Sequence, residues 1–294
     1  MEVLGVKRGS KYSPNHVGND DAIFNLTVKS LEERGCKVTI CNETEFLDLA
    51  EVTQQFIVTM ARQKKVIKKL KMLEVMGKTV INSAFGIENC FRTNVTNHLM
   101  GNGIPHPKSN IVLTYNPGPE TFDDLGTNGY WLKRGDFHAI HKEDVTFAAT
   151  EQEAREIIQE FKLRGIEDVV ISENLPGDLV KFYGIQGSDF FYWFYPYDHN
   201  HHKYKEYEEI NGKSMKYPFS VDDLQAQANK ASKVVNIHIY GGDAIVGKDG
   251  TFHIIDFNDW PSFAPCRDKA APFIAGSIFE HFTTKLHGTH SEQR

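Results

Sequence analysis

The chain has 294 residues, 40% hydrophobic and 24% charged, close to the averages for folded soluble proteins and far from collagen-like, coiled-coil or disordered compositions. Its 33 Lys and Arg against 39 Asp and Glu give a net charge of −6, which disfavours generic nucleic-acid binding, and no apolar run is long enough to span a bilayer. Cys36, Cys41, Cys90 and Cys266 are scattered without a C-x-x-C pair or zinc-ligand spacing. With the opening MEVLGV, which lacks a basic region before a long apolar one, they point to reduced thiols in a cytoplasmic protein with neither membrane nor nucleic acid as partner.

The first eighty residues alternate strand and helix signals: a strand over 2–6, a helix over about 20–34, a strand over 37–41, a basic helix ending near Gly77, and a strand over 78–82. Alternating β and α predicts a parallel sheet. Gly35 and Gly77 follow helical patterns where a left-handed stop is expected. In the basic run from Arg62 to Lys71, Val66, Leu70 and Leu73 form an apolar stripe, so this helix reads as amphipathic with a solvated lysine face.

Another helix is expected over 88–100, closed by the Gly-Asn-Gly-Ile-Pro turn, then strands over 110–114 and 130–133. Thr150 with Glu153 predicts a capping box before a further helix. Beyond Asp168 the pattern becomes antiparallel: strands over 169–173, 179–183 and 189–195, a polar loop over 197–217, and a helix over about 221–236. A hairpin pairing 244–246 with 252–257 then follows, turned by Asp249-Gly250. The aromatic run Phe190 to Tyr195 reads as core and sheet face, and the histidines of Asp198 to Lys203 as a surface loop, adjacent imidazoles being poorly placed to share one ion.

The most informative stretch is Gly242-Asp243 followed by Ile254-Ile255-Asp256-Phe257-Asn258-Asp259-Trp260-Pro261. Strand alternation puts Asp256 and Asn258 on one face and Ile255 and Phe257 towards a core, while Asp243 on the other limb of the hairpin brings a third oxygen ligand. A hard, carboxylate-poor set of this kind suits Mg²⁺ that shares its coordination with nucleotide phosphates, with Mn²⁺ as an alternative. The loop from Tyr12 to Asp21 lies between the first strand and the first helix, where open α/β sheets bind ligands. His16 and Asn19 are its candidate substrate contacts, and Asn19 or Asp20 also suits a helix cap.

Asp243, Asp256-Phe257-Asn258 and Pro261 resemble the metal-binding end of the ATP-grasp superfamily, which includes glutathione synthetase and other carboxylate-amine ligases. Upstream residues follow the family order. Lys133 at the end of Tyr130-Trp131-Leu132 stands where a lysine holds the α- and β-phosphates. Arg92, ahead of Gly103-Ile104-Pro105-His106-Pro107, stands where a second lysine is usual. Val169 to Asp178 is similar to the hinge strand, so Glu173, Asn174 and Leu175 are expected at adenine and Asp178 at the ribose, with Lys181 facing the phosphates.

The resemblance implies an α/β fold of three parts: an open parallel domain over 1–102, a small lid subdomain over 103–175, and a C-terminal subdomain over 176–294 carrying the metal site. It also implies an ATP- and Mg²⁺-dependent ligase joining a small-molecule or peptide carboxylate to an amine or thiol through an acyl phosphate, with a homodimer compatible. Two features depart from the pattern. The loop after Lys133 holds one glycine, Gly135, so Arg134, His138 and His141 either replace backbone phosphate contacts or leave the loop open, and His138 becomes a candidate substrate contact. The arginine expected after the hinge is missing, leaving Arg267 or Lys203 to substitute; Lys181 and Arg267 are the catalytic candidates. A small-molecule kinase like the inositol polyphosphate kinases, or a nucleotide-binding protein without catalysis, remain the alternatives.

Overall fold

A computed structural model describes residues 1–12, 17–196 and 214–291. The loop residues Ser13 to His16, including His16, and the histidine-rich cluster with Lys203 lie outside the described residues. The described residues build three four-stranded sheets with helices packed between and around them.

The first sheet is parallel, in the order β2 (Lys37–Asn42), β1 (Glu2–Lys7), β3 (Phe56–Thr59), β4 (Thr79–Ile81). Its crossovers include α1 (Val17–Glu33) and α3 (Lys64–Val75), which stop before Gly35 and Gly77 at φ +86° and +92°, a region favourable only to glycine. β3 was not anticipated, nor was the short helix α2 (Glu43–Asp48). Phe-Ile-Val-Thr is buried on both faces and so carries no alternation to read.

The helix expected over 88–100 is two pieces, α4 (Ala84–Asn89) and α5 (Arg92–Gly101), and the break leaves Arg92 at the first position of α5. The second sheet is antiparallel: β5 (Ser109–Leu113), β8 (Asp168–Glu173), β6 (Tyr130–Arg134), β7 (Val145–Ala148). One face is covered by α6 (Glu151–Leu163), which buries Ala154, Ile158 and Phe161 against Leu132, Val169 and Ile171. Thr150 accepts from the Glu153 N–H as expected, but the Glu153 carboxylate reaches past Thr150 to the Ala149 N–H at 2.8 Å.

The third sheet is also antiparallel: β10 (Phe191–Phe194), β9 (Asp178–Ile185), β11 (Ile239–Val246), β12 (Phe252–Asp259). The aromatic run divides between two cores, with Phe191, Trp193 and Tyr195 on one side and Phe190 and Tyr192 on the other, as alternation requires. Two further helices among the described residues are α7 (Val221–Val235), capped by left-handed Asn236, and α8 (Arg267–Ser291). α8 lies on α1 and buries Ile274, Ile278 and Phe282 with Val3, Phe24 and Val58 of the first sheet's unit. Among the described residues no helix is long and apolar enough to cross a membrane.

Asn82 ties the first sheet to the third. Fully buried, it accepts from the N–H groups of His238 and Ile239 at 3.0 and 2.8 Å and donates to the Ile239 carbonyl at 2.8 Å. Asn82→Ala removes all three bonds and is expected to lower unfolding free energy by about 3 kcal/mol in urea titrations. A loss below about 1 kcal/mol would mean that the orphaned backbone groups find other partners.

Candidate nucleotide and metal site

Register brings the chemistry together. Asp243 on β11 lies opposite Lys181 on β9 and Asp256 on β12, so three neighbouring strands set Lys181, Asp243 and Asp256 in one row on one sheet face. Two residues along, Asn258 is opposite Gly241, where no side chain intervenes. Gly242 has to be glycine, since a Cβ there would lie 2.4 Å from the Asp256 carbonyl oxygen.

A bulge between Asp243 and Ala244 alters the expected alternation. Phe257 is core as predicted, but the other core residue is Ile254. Ile255 turns out of the core and lines an apolar slot with Pro107, Trp131, Leu175 and Ile245. The Pro105 carbonyl accepts from the Ile254 N–H at 2.8 Å, which straps the Gly-Ile-Pro turn onto β12.

Cations already face both carboxylates. Lys181 pairs with Asp243, and Arg92 Nη1 is 2.8 Å from Asp256 Oδ1. Burial pushes the Asp256 carboxyl up, but the charges of Arg92 and Lys133 and the hydrogen bonds from Arg92 and Asn258 outweigh it and hold the group well below the usual carboxylate range. Lys133, 7% exposed, reaches from the second sheet to donate to the Ile255 carbonyl at 2.9 Å. Its burial, reinforced by the Arg92 charge, lowers its pKa to about 7. Beside it, burial and then the Lys133 charge push His106 down to about 3, leaving a neutral imidazole whose Nδ1 is 2.7 Å from the Pro107 carbonyl.

The hinge residues line the slot, and several of their polar groups are already used. Glu173 donates its N–H to the Lys108 carbonyl at 3.0 Å and accepts from the Lys108 N–H at 2.8 Å. The Asn174 side chain accepts from Trp131 Nε1 and donates to the Asn128 carbonyl, both at 3.1 Å, so it shapes the hinge. Asp178, expected at the ribose, makes hydrogen bonds within the chain. At 2% exposed, its two oxygens accept from the Met215 and Tyr217 N–H groups at 2.7 and 2.8 Å, so the carboxylate fastens the segment that precedes α7.

In the loop after Lys133, two of the candidate phosphate side chains, Arg134 and His138, make contacts within the chain. Gly135 is wedged between β8 and α5, where a Cβ would stand 2.2 Å from the Asp168 carboxylate, so close packing calls for the glycine here. Arg134 Nη2 is 2.8 Å from Asp136, and Phe137 packs on Tyr12 and Phe91 with ring centres 5.8 and 4.7 Å apart. His138, 5% exposed, points away from solvent with Nε2 at 3.2 Å from Asp259 Oδ1; burial and the Arg62 charge lower its pKa to about 4. It packs beneath the row, against Asp259.

Beneath the row lies a buried charge cluster that sequence reasoning missed. Arg8 joins Asp20 at 3.0 Å, Asp259 at 3.3 Å and the Trp260 carbonyl at 3.0 Å, and Arg62 joins Asp259 at 2.9 Å. Arg8 and Arg62 follow the neighbouring parallel strands β1 and β3, so the sheet itself brings them side by side. Asp259, adjacent to Asn258 but on the core face, was the available signal: a charge at a buried strand position requires a partner. The candidates Arg267 and Asn19 meet, with Arg267 Nη2 2.5 Å from Asn19 Oδ1 where the first turns of α8 and α1 adjoin.

No protein-family model and no curated protein matches the sequence. Solved structures do match. D-alanine–D-alanine ligase from Bacillus anthracis, complexed with ATP, aligns over 99% of both chains at 13% identity and TM-score 0.67. A RimK-domain ATP-grasp protein from Sphaerobacter thermophilus aligns over 95% of this chain and 100% of its own at 15% identity and TM-score 0.65. The ATP-grasp ligase PsnB, complexed with a minimal precursor, aligns over 95% and 98% at 14% identity and TM-score 0.61. The chain has the ATP-grasp fold, a parallel sheet followed by two antiparallel ones.

Proposed function

We propose that this protein is an ATP-dependent ligase that activates a small-molecule or peptide carboxylate for attack by an amine. The observation that carries the proposal is the Lys181–Asp243–Asp256 row, with Arg92 and Lys133 converging on it beside the apolar slot at the hinge. In the slot, Pro107, Trp131, Leu175, Ile245 and Ile255 offer walls for a flat base. Lys133, Arg92 and Lys181 neutralise the phosphates. Asp243 and Asp256 are facing carboxylates and Asn258 is their amide neighbour, a hard-oxygen set that fits Mg²⁺ as the fold's chemistry requires. When bound there, Mg²⁺ supplies further neutralisation of phosphate charge.

The substrate carboxylate oxygen attacks the γ-phosphorus, the bond to the β-phosphate oxygen breaks, and ADP leaves. An amine then attacks the acyl carbon, the carbon–oxygen bond to phosphate breaks, and the amine gives up a proton to solvent. The chain supplies alignment and charge, with no enzyme nucleophile. Arg267 and Asn19, at two adjoining helix starts, are suited to holding an anionic group of the substrate. D-alanine–D-alanine ligase and PsnB, which share the fold, support a carboxylate-amine reading.

The test is ADP release from Mg-ATP across a panel of acids and amines. Release that requires both partners and yields an amide is the expected result. Phosphate transfer to a hydroxyl without an amine would mark a kinase, and nucleotide binding without acceptor-dependent turnover would mark a non-catalytic protein.

A further inference from the structure

α3 does more on its outer face than meet solvent. With α4, α5 and the loop after Lys133 it encloses an open groove of about 840 Å³. Met72, Val75 and Met76 project there at 59%, 77% and 75% exposure, with Phe85 of α4 opposite. Together they form an exposed apolar strip along one side of the groove.

The other end of the groove is cationic. Lys64, Lys68 and Lys71 recur at helical spacing on the same stripe, Lys64 in the first turn of α3 where the helix dipole adds positive potential and Lys71 further along, 4.9 Å from the Phe85 ring centre. The acids in the groove are already paired, Glu88 with Lys71 at 2.5 Å and Asp136 with Lys64 at 3.5 Å. Lys68 has no acidic partner among the described residues, so the surplus is positive on a chain whose net charge is −6. Two of the lining residues adjoin the candidate site in sequence: Phe91 precedes Arg92, and Asp136 stands in the loop after Lys133.

We infer that this groove holds an acidic, amphipathic peptide segment, with its apolar residues on Met72, Val75, Met76 and Phe85 and its carboxylates on the lysine end. This rests on the ligase reading and gives it a substrate class, a peptide bearing acidic side chains. A second copy of the chain is disfavoured as occupant, because a two-fold contact through this face would set the lysine row against itself.

The probe is a fluorescein-labelled synthetic peptide of about 16 residues, long enough to follow α3, with Glu in its first two turns and Leu and Phe at helical spacing in its last two. Controls replace every Glu by Gln or scramble the order. Anisotropy with the full chain, in the presence of Mg²⁺ and a non-hydrolysable ATP analogue, should show salt-sensitive binding of the Glu peptide alone. Val75→Glu and Lys68→Glu, both on exposed side chains, should each weaken it about tenfold or more, and Lys68→Glu should gain affinity for a Lys-substituted peptide.

Equal binding of all three peptides, or unchanged binding in both variants, overturns the inference. So does sedimentation showing a self-associated chain that Val75→Glu makes monomeric. Thermal shift with the ATP analogue separates the two readings. Groove-dependent peptide binding without any nucleotide shift sinks the ligase reading alone, whereas a normal nucleotide shift without peptide discrimination sinks the groove alone.

Discussion

Asp256→Ala is expected to abolish Mg-ATP turnover, a loss of about a thousandfold or more, and to remove the Mg²⁺-dependent part of the thermal shift given by the nucleotide. The carboxylate is held ionised by Arg92 and Lys133 and stands opposite Asp243, so no neighbouring oxygen can take its place on the row. Because the substitution also strips Arg92 of its 2.8 Å partner, Asp256→Asn is the companion variant: it keeps shape and an acceptor oxygen for Arg92 but lacks the negative charge. Both variants should be inactive while the Asn protein unfolds near the wild-type temperature. Turnover at the wild-type rate in either would remove Asp256 from the metal assignment.

Lys133→Met should weaken nucleotide binding about ten- to a hundredfold, the scale of losing a charge-assisted bond to phosphate. Wild-type binding carries a second signature. Burial and Arg92 set the free-state pKa of Lys133 to about 7, so around neutrality a substantial fraction of the amine is uncharged. Phosphate binds the protonated form and raises its pKa. The Lys133 contribution is therefore fully present below pH 7 and falls as pH rises above 7, with proton uptake on binding in that upper range. Calorimetry with the ATP analogue in buffers of different ionisation enthalpy should detect this uptake in the wild type and lose it in Lys133→Met. An unaltered affinity and proton count in the variant would end the phosphate role.

What could be read from the sequence was local in the chain. Asp256 and Asn258 share a strand face two residues apart, and Asp243 follows from the Asp-Gly hairpin that returns the chain beside them. The left-handed glycines after α1 and α3 mark helix ends by the same short-range logic. The bulge at Asp243 could not be read, because one unpaired residue is invisible to alternation yet exchanges Ile254 and Ile255 between core and slot. Asp178 illustrates a different limit. Its place after the hinge matches a ribose ligand, whereas its partners, Met215 and Tyr217, lie on a segment whose approach only the fold decides. Arg8 and Arg62 lie far apart in sequence and meet on Asp259 through the pairing of β1 with β3, one strand of which carried no readable pattern.

The packing of α8 against α1 bears on the order in which the chain can fold as it is made. Val3, Phe24 and Val58 emerge from the ribosome before the other two sheets are made, yet their apolar cover includes Ile274, Ile278 and Phe282, which follow both of those sheets. A chain still lacking α8 has already made every strand of the first sheet and leaves one of its faces open to water. The second sheet, whose core is closed by residues between Val112 and Ile171, has no such dependence and can become protease-resistant on the ribosome before the first sheet does.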